Sequence, residues 1–373
     1  MTELQIIIFT LIRQGLGIED IDHLQLRCNQ GLPQGIWNTV KEVADKQAVS
    51  AIVFDGLDAL IKKYGKEMVL SNNNIMWWQQ FVFEWIGLSN NVEVQNEKLN
   101  KRTKEIFSRL KDAGFRCCIL KGQGNARMYP KPASRIPGDI DVWVDGEVEA
   151  IKKYVRQLCP DAKDCEHHID FPIYQDVDVE VHYKPRYLFM PKHNAAFEKW
   201  VQDNKRLQFC NKVNLADGSE IIAPTEDFNI VYQLVHMMGH FVEDGIGLRQ
   251  ITDYVCLLRW RSNYDVDFSN VFSQMGLTKF VQGLMWIAKE KYGLNTDCLV
   301  EVPKEKYGRI ILNDVFETGN LGQAGKFLRS RGVLSYQHRI MIYLRRQMTI
   351  FPVTRYESIF NLLKISSRRI LSA

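Results

Sequence analysis

Leu120-Lys121-Gly122-Gln123-Gly124, followed further along by Gly138-Asp139-Ile140-Asp141-Val142-Trp143-Val144, is the stretch on which the reading of this chain turns. Side chains two apart on a strand share a face, so Asp139 and Asp141 converge while Ile140, Val142 and Val144 face a core. Two carboxylates held together repel unless a cation neutralises them, and hard oxygen ligands suit Mg²⁺ (or Mn²⁺), which also carries substrate phosphates. A second run repeats the device. Asp176, Asp178, Glu180 and His182 alternate with Val177, Val179 and Val181, so a strand pairing near the first with its polar face turned the same way offers Glu180 or Asp178 as a third carboxylate. Three carboxylates suit two metals. Lys121-Gly122-Gln123 reads as a glycine turn leaving a strand and entering a helix, where the backbone can approach an anion closely, and thus as a phosphate seat. Arg135, four residues before Asp139, is placed to add a bidentate contact to the same phosphates.

Around this stretch the chain changes texture twice. Residues 1–114 carry the three- and four-residue apolar period of helices, with Leu99, Ile106 and Leu110 on one face. Met76, Trp77, Trp78, Phe81, Phe83 and Trp85 read as core or interface aromatics. Residues 115–223 alternate short β-like runs (115–120, 140–144, 169–173, 177–183) with helices over 123–129 and 147–158. A strand pair around 207–213 and 220–222 flanks Ala216-Asp217-Gly218-Ser219, in which Gly218 can take a positive φ. Residues 224–373 are helical again, with Thr225 as N-cap and helices over 250–261, 278–290 and 336–349. The fold class expected is α+β, a small mixed-sheet α/β domain between N-terminal and C-terminal helical regions.

Composition narrows the function. The 373 residues are 46% hydrophobic and 25% charged, which excludes a disordered or collagenous chain. A net charge of +4 is too mild to announce a nucleic-acid binder, so nucleic acid is allowed but not indicated. The eight cysteines show no C-x-x-C spacing and read as reduced thiols; Cys117 and Cys118, adjacent on a strand, send one sulfur to each face. Glu3 and Arg13 spoil an export-signal reading of the apolar N-terminus, and no run approaches the roughly 20 apolar residues of a membrane span. A cytoplasmic location without a membrane partner is expected; oligomeric state is not legible.

With Tyr129-Pro130, Arg135, Glu180-Val181-His182 and the region from Pro224 through His236, His240, Arg249 and Asp253, these motifs resemble the DNA polymerase beta-type nucleotidyltransferase superfamily. Within it, they resemble an uncharacterised bacterial nucleotidyltransferase family found among polysaccharide and peptide biosynthesis loci. Gln123, where the broad superfamily prefers Gly or Ser, and the long gap to Asp139 both match that bacterial family. The resemblance implies transfer of a nucleoside monophosphate from an NTP such as ATP to an acceptor, an EC 2.7.7-like reaction. Asp139 and Asp141 would bind the metal, and Glu180 would serve as third ligand or as base. Lys121, Gly122, Gln123, Arg135, His182, His236 and His240 would face the nucleotide or acceptor, and the acceptor is expected to be a small molecule.

Other residues admit blander readings. His236 and His240, four apart on a helix, lack the Glu of a zinc-protease motif and read first as packing or hydrogen-bonding groups, then as cleft contacts. His167 and His168 read as surface or turn residues, Arg249 and Asp253 as an intrahelical ion pair, and Arg368-Arg369 as a solvated helix end. A non-catalytic nucleotide or metabolite binder, and a toxin-like transferase acting on RNA or protein, are the competing functions.

Overall fold

Apolar periodicity at the N-terminus becomes three helices, α1 (Glu3–Gly15), α2 (Gln34–Lys46) and α3 (Ser50–Tyr64), followed by a 38-residue helix, α4 (Ile75–Asp112). The computed structural model describes residues 2–18, 32–65, 75–215, 217–262, 266–320 and 336–371, with side chains from 340 to 366 in the last segment. Cys28, Ala216 and the side chains of Arg368 and Arg369 lie outside the described residues. On α4, Leu99, Ile106 and Leu110 are buried as their spacing requires. The aromatic run divides by the same period. Phe81 and Trp85, four apart, are buried, whereas Met76 and Phe83 fall on the opposite face and are about four-fifths exposed, at 81% and 78%.

The central unit is built from β1 (Arg116–Ile119), a single turn α5 (Gln123–Ala126), β2 (Ile140–Asp145), α6 (Val148–Leu158), β3 (His168–Asp170) and β4 (Val179–His182). The sheet order is β1-β2-β4-β3, with β2 and β4 parallel and both outer pairs antiparallel. A parallel pair needs a crossover, which α6 and β3 supply. The alternation is obeyed on every strand. Cys117, Ile119, Ile140, Val142, Val144, Ile169, Val179 and Val181 join Leu99, Ile106 and Leu110 of α4 and Ile151 and Val155 of α6 in one core. Cys118, Leu120 and Trp143 face the other way, into the core shared by the helices. The two sulfurs of Cys117-Cys118 therefore do part to opposite faces.

Several boundaries differ from the sequence reading. The expected strand at residue 207 is still helix, because α7 runs Pro191–Gln208; only β5 (Lys212–Asn214) pairs with β6 (Glu220–Ile222). Gly218, in their turn, has φ +78°. The helix expected over 123–129 closes after one turn. Thr225 occupies the N-cap position of α8 (Glu226–Glu243) without a side-chain capping bond, since its hydroxyl and N–H both donate to Gln208 Oε1. After α8 come α9 (Leu248–Trp260), α10 (Ser269–Gln274), α11 (Thr278–Glu290), α12 (Glu305–Thr318), α13 (Tyr336–Thr354) and α14 (Tyr356–Leu371). Among the described residues, no helix is long and apolar enough to cross a membrane.

Candidate functional site

The polar face of the sheet is where β2 and β4 run side by side. Their register sets Asp141 beside Glu180 and Trp143 beside His182. Asp139, one step before β2, shares that face. Gly122, with φ +60° and ψ −114°, makes the turn after β1, a conformation that a side chain would strain. The turn carries Lys121 back over the carboxylates, with its Nζ 3.1 Å from Asp141 Oδ2 and 3.7 Å from Asp139 Oδ1. The two aspartates thus converge on one cation, and that cation belongs to the protein.

Behind them, His182 is 1% exposed and its Nε2 lies 2.9 Å from Asp141 Oδ1 and 3.2 Å from Glu180 Oε2. Burial opposes its charge, but hydrogen bonds to Asp141 and Glu180 prevail and lift its pKa to about 9. Burial likewise pushes Asp141 upward, yet Lys121 and then His182 outweigh it and hold the carboxyl below its usual range. Asp139 is raised, first by burial and then by the charge of Asp141. Glu180 is lowered because its hydrogen bond to His182 overcomes burial.

Across the cleft stands α8. Lys121 Nζ donates to His236 Nε2 at 3.0 Å, and His240 Nε2 is 3.3 Å from the same nitrogen. Both imidazoles are held neutral, chiefly by burial, then by Lys121 for His236 and by Arg186 for His240. The cleft between Lys121, Gly122, Asp139, His236, His240 and Arg249 has a volume of about 80 Å³. Arg249 reaches in from α9. Its Nη1 lies 3.4 and 3.3 Å from the carbonyls of Ile136 and Pro137, and a Cβ on Gly138 would sit 3.1 Å from that nitrogen.

Five sequence expectations are corrected here. Arg135 does not offer a free fork to a phosphate. It is buried, and its Nε and Nη2 each lie 2.8 Å from an oxygen of Asp253, a carboxylate that also accepts from the Tyr129 hydroxyl at 2.6 Å. Asp253 consequently makes its close ion pair with Arg135 across the fold and not with Arg249, whose charge reaches it only at longer range. Gln123 turns its side chain away from the cleft toward α4, where its amide donates to Asn100 Oδ1 and Asn96 O, so only its backbone remains at the turn. His182 bonds carboxylates from behind instead of lining the cleft. His167 and His168 are buried against the site, not on the surface: Arg186 Nη1 donates to His167 Nε2 at 2.8 Å, and His168 Nδ1 is 3.6 Å from Glu180 Oε2. A two-residue histidine step entering a three-residue strand is too short for period-two reading, so no sequence signal marked this placement. Arg186, in a loop, carried no signal either.

A metal was expected on Asp139, Asp141 and Glu180. The donor chemistry fits a hard divalent cation: carboxylates on one sheet face, Asp141 Oδ2 buried with an ion pair but no hydrogen bond, and Asp139 partly open to the cleft. A trio whose ligand atoms lie within 4.8 Å of one another is, however, Asp141, Glu180 and His182. Asp139 stands outside it, on the cleft side.

A small mixed sheet presenting a glycine turn and paired carboxylates to a helical wall is the architecture of a nucleotidyltransferase-type α/β unit. The chain belongs to the family described as "Uncharacterised nucleotidyltransferase", whose model matches residues 34–293. A crystal structure of an antigenic nucleotidyltransferase-like protein from Paracoccidioides brasiliensis aligns with 60% of this chain and 96% of that one, at 11% identity and a TM-score of 0.32, too loose a match to carry residue correspondences. No curated protein matches the chain.

Proposed function

We propose that the protein transfers a nucleoside monophosphate from an NTP to a small-molecule hydroxyl or phosphate, with Mg²⁺ or Mn²⁺ held by Asp139, Asp141 and Glu180. The observation carrying this reading is the convergence of Asp139 and Asp141 on a single cation position facing a cleft with Lys121 and Arg249 on its walls. Bound there, the divalent ion would neutralise phosphate charge and lower the pKa of the attacking oxygen.

The chain's own groups supply positioning. Lys121, now spread over two carboxylates and His236, exchanges those partners for phosphate oxygens when substrate enters, and Arg249 provides a second cation at the cleft wall. The acceptor oxygen attacks the α-phosphorus, the bond from that phosphorus to the bridging oxygen breaks, and pyrophosphate leaves. Glu180 takes the proton of an acceptor hydroxyl. Before substrate enters, neutral His236 holds Lys121 on the cleft side by accepting its hydrogen bond. Such transfer depends mainly on alignment and charge neutralisation.

The test is incubation with each labelled NTP, a divalent cation and cell extract, following pyrophosphate release and the destination of the label. Asp139→Asn and Asp141→Asn are expected to lower transfer by at least ~10²-fold, as loss of one electrostatic stabiliser commonly does, with unchanged circular dichroism. Full transfer by a folded Asp141→Asn variant refutes the assignment. Saturable NTP binding without pyrophosphate across a broad acceptor panel identifies a binder, and label on RNA or protein identifies a macromolecular acceptor.

A further inference from the structure

Charge is divided unevenly along this chain. Of the 48 Lys and Arg residues ten follow Thr318, whereas of the 44 Asp and Glu residues one does. The last 55 residues thus carry +9 and the 318 before them −5, with histidines neutral. The single acid is Glu357, whose carboxylate is buried and accepts from Phe189 N–H, Met190 N–H and His193. Asymmetry of this size points to an anionic partner, either a lipid surface or a nucleic acid.

The exposed faces of α13 and α14 decide between the two. While α13 turns Ile350 and Val353 into the core, Met341, Leu344, Met348 and Phe351, three and four residues apart, form an exposed stripe. Arg355, with φ +45°, separates the two helices, and Tyr356, Ile359 and Leu363 then repeat the stripe on α14. Met348 is 69% exposed and Leu363 58%, so these faces are not half-closed grooves. Arg346 is engaged by Asp314 and Lys364 by Glu166, but Arg345, which the helical period sets within the α13 stripe, and Arg355 stand exposed. Nucleic acid rewards cations and stacking aromatics, and gains little from exposed Met, Leu and Ile. A bilayer interface takes both at once, aliphatic side chains toward the acyl chains and cations among the lipid phosphates. We propose that α13 and α14 dock the protein on an anionic lipid bilayer through these stripes. Docking of this kind needs no spanning helix, so it departs from the sequence expectation of no membrane partner, which rests on spans alone.

The test is co-sedimentation of the full-length chain with vesicles of equal parts phosphatidylglycerol and phosphatidylcholine, and with vesicles of phosphatidylcholine alone. Binding to the mixed vesicles is expected to be at least ~10-fold tighter and to weaken as salt is raised. Met348→Ser combined with Phe351→Ser should weaken it by at least ~10-fold, and Arg345→Gln combined with Arg355→Gln by about 5-fold per charge. Circular dichroism and NTP-dependent transfer in solution should stay unchanged in both. Equal binding of the wild-type chain to the two kinds of vesicle, or none to either, overturns the proposal whether or not the variants fold. So does wild-type binding by the Met348→Ser, Phe351→Ser variant. A wild-type dimer in sedimentation velocity that this variant dissociates, without vesicle binding, gives the stripe to a second copy of the chain instead. Labelled RNA held more tightly than the mixed vesicles gives the charge to nucleic acid instead.

Discussion

Asp253 sits under the cleft with Arg135 on one side and Tyr129 on the other, its side chain 9% exposed. Burial would raise this carboxyl, but Arg135 overcomes it and lowers the pKa, so the pair is ionised. Breaking a buried pair from one side strands the other charge. Asp253→Asn should therefore cost about 3–5 kcal/mol in urea unfolding, a penalty that a purely cleft-facing role for Asp253 would not produce. A second titration belongs to the turn between β5 and β6. Asp217 accepts from Lys104 of α4 and from Ser219, and Lys104 first, then Ser219, depresses its pKa from 3.8 to about 2. A depressed acid favours the folded state above pH 3.8 and loses that contribution as pH falls through about 2. The effect is small because the side chain is 38% exposed. Lys104→Ala should move the Asp217 midpoint, followed by carboxyl NMR, back toward 3.8.

Among the elements, α1 and α3 cross so closely that their glycines are obligatory. A Cβ on Gly56 would lie 1.8 Å from the Leu11 carbonyl oxygen, and one on Gly15 would lie 2.2 Å from that of Ile52. Alanine is the better helix former by about 1 kcal/mol, yet neither backbone can yield without separating the helices. Gly56→Ala is thus expected to destabilise by about 1–3 kcal/mol, lowering the melting temperature; a stabilised variant would show that the crossing is looser than this geometry.

For the whole molecule, the sheet cannot be separated from its helices by cutting at the changes of texture. Trp143 of β2 stacks on Phe228 of α8 at 5.6 Å and packs on Phe209 at 4.7 Å, within the same core as residues of α1 and α11. The other face rests on α4. At the C-terminal end, Glu357 of α14 is fully buried and accepts from the N–H groups of Phe189 and Met190 and from His193, fixing that helix to the start of α7. An excised fragment 115–223 is expected to give a collapsed amide spectrum or to aggregate, because both sheet faces lose their cover. A dispersed, folded spectrum from that fragment would refute it.

Local periodicity made much of this legible. Period-two alternation placed Asp139 with Asp141 and Glu180 with His182, and the glycine turn marked Lys121 as part of a phosphate seat, since strand geometry acts within a few residues; the parallel pairing of β2 with β4 is what brings the two pairs onto one face. What the sequence could not determine is which distant group answers each charge. The capture of Arg135 by Asp253, the turning of Gln123 toward α4, the burial of His168 beside Glu180 and the seating of Lys121 among the carboxylates all depend on how helices and sheet pack. Charges pair with the nearest partner in space, and only tertiary structure decides which partner that is.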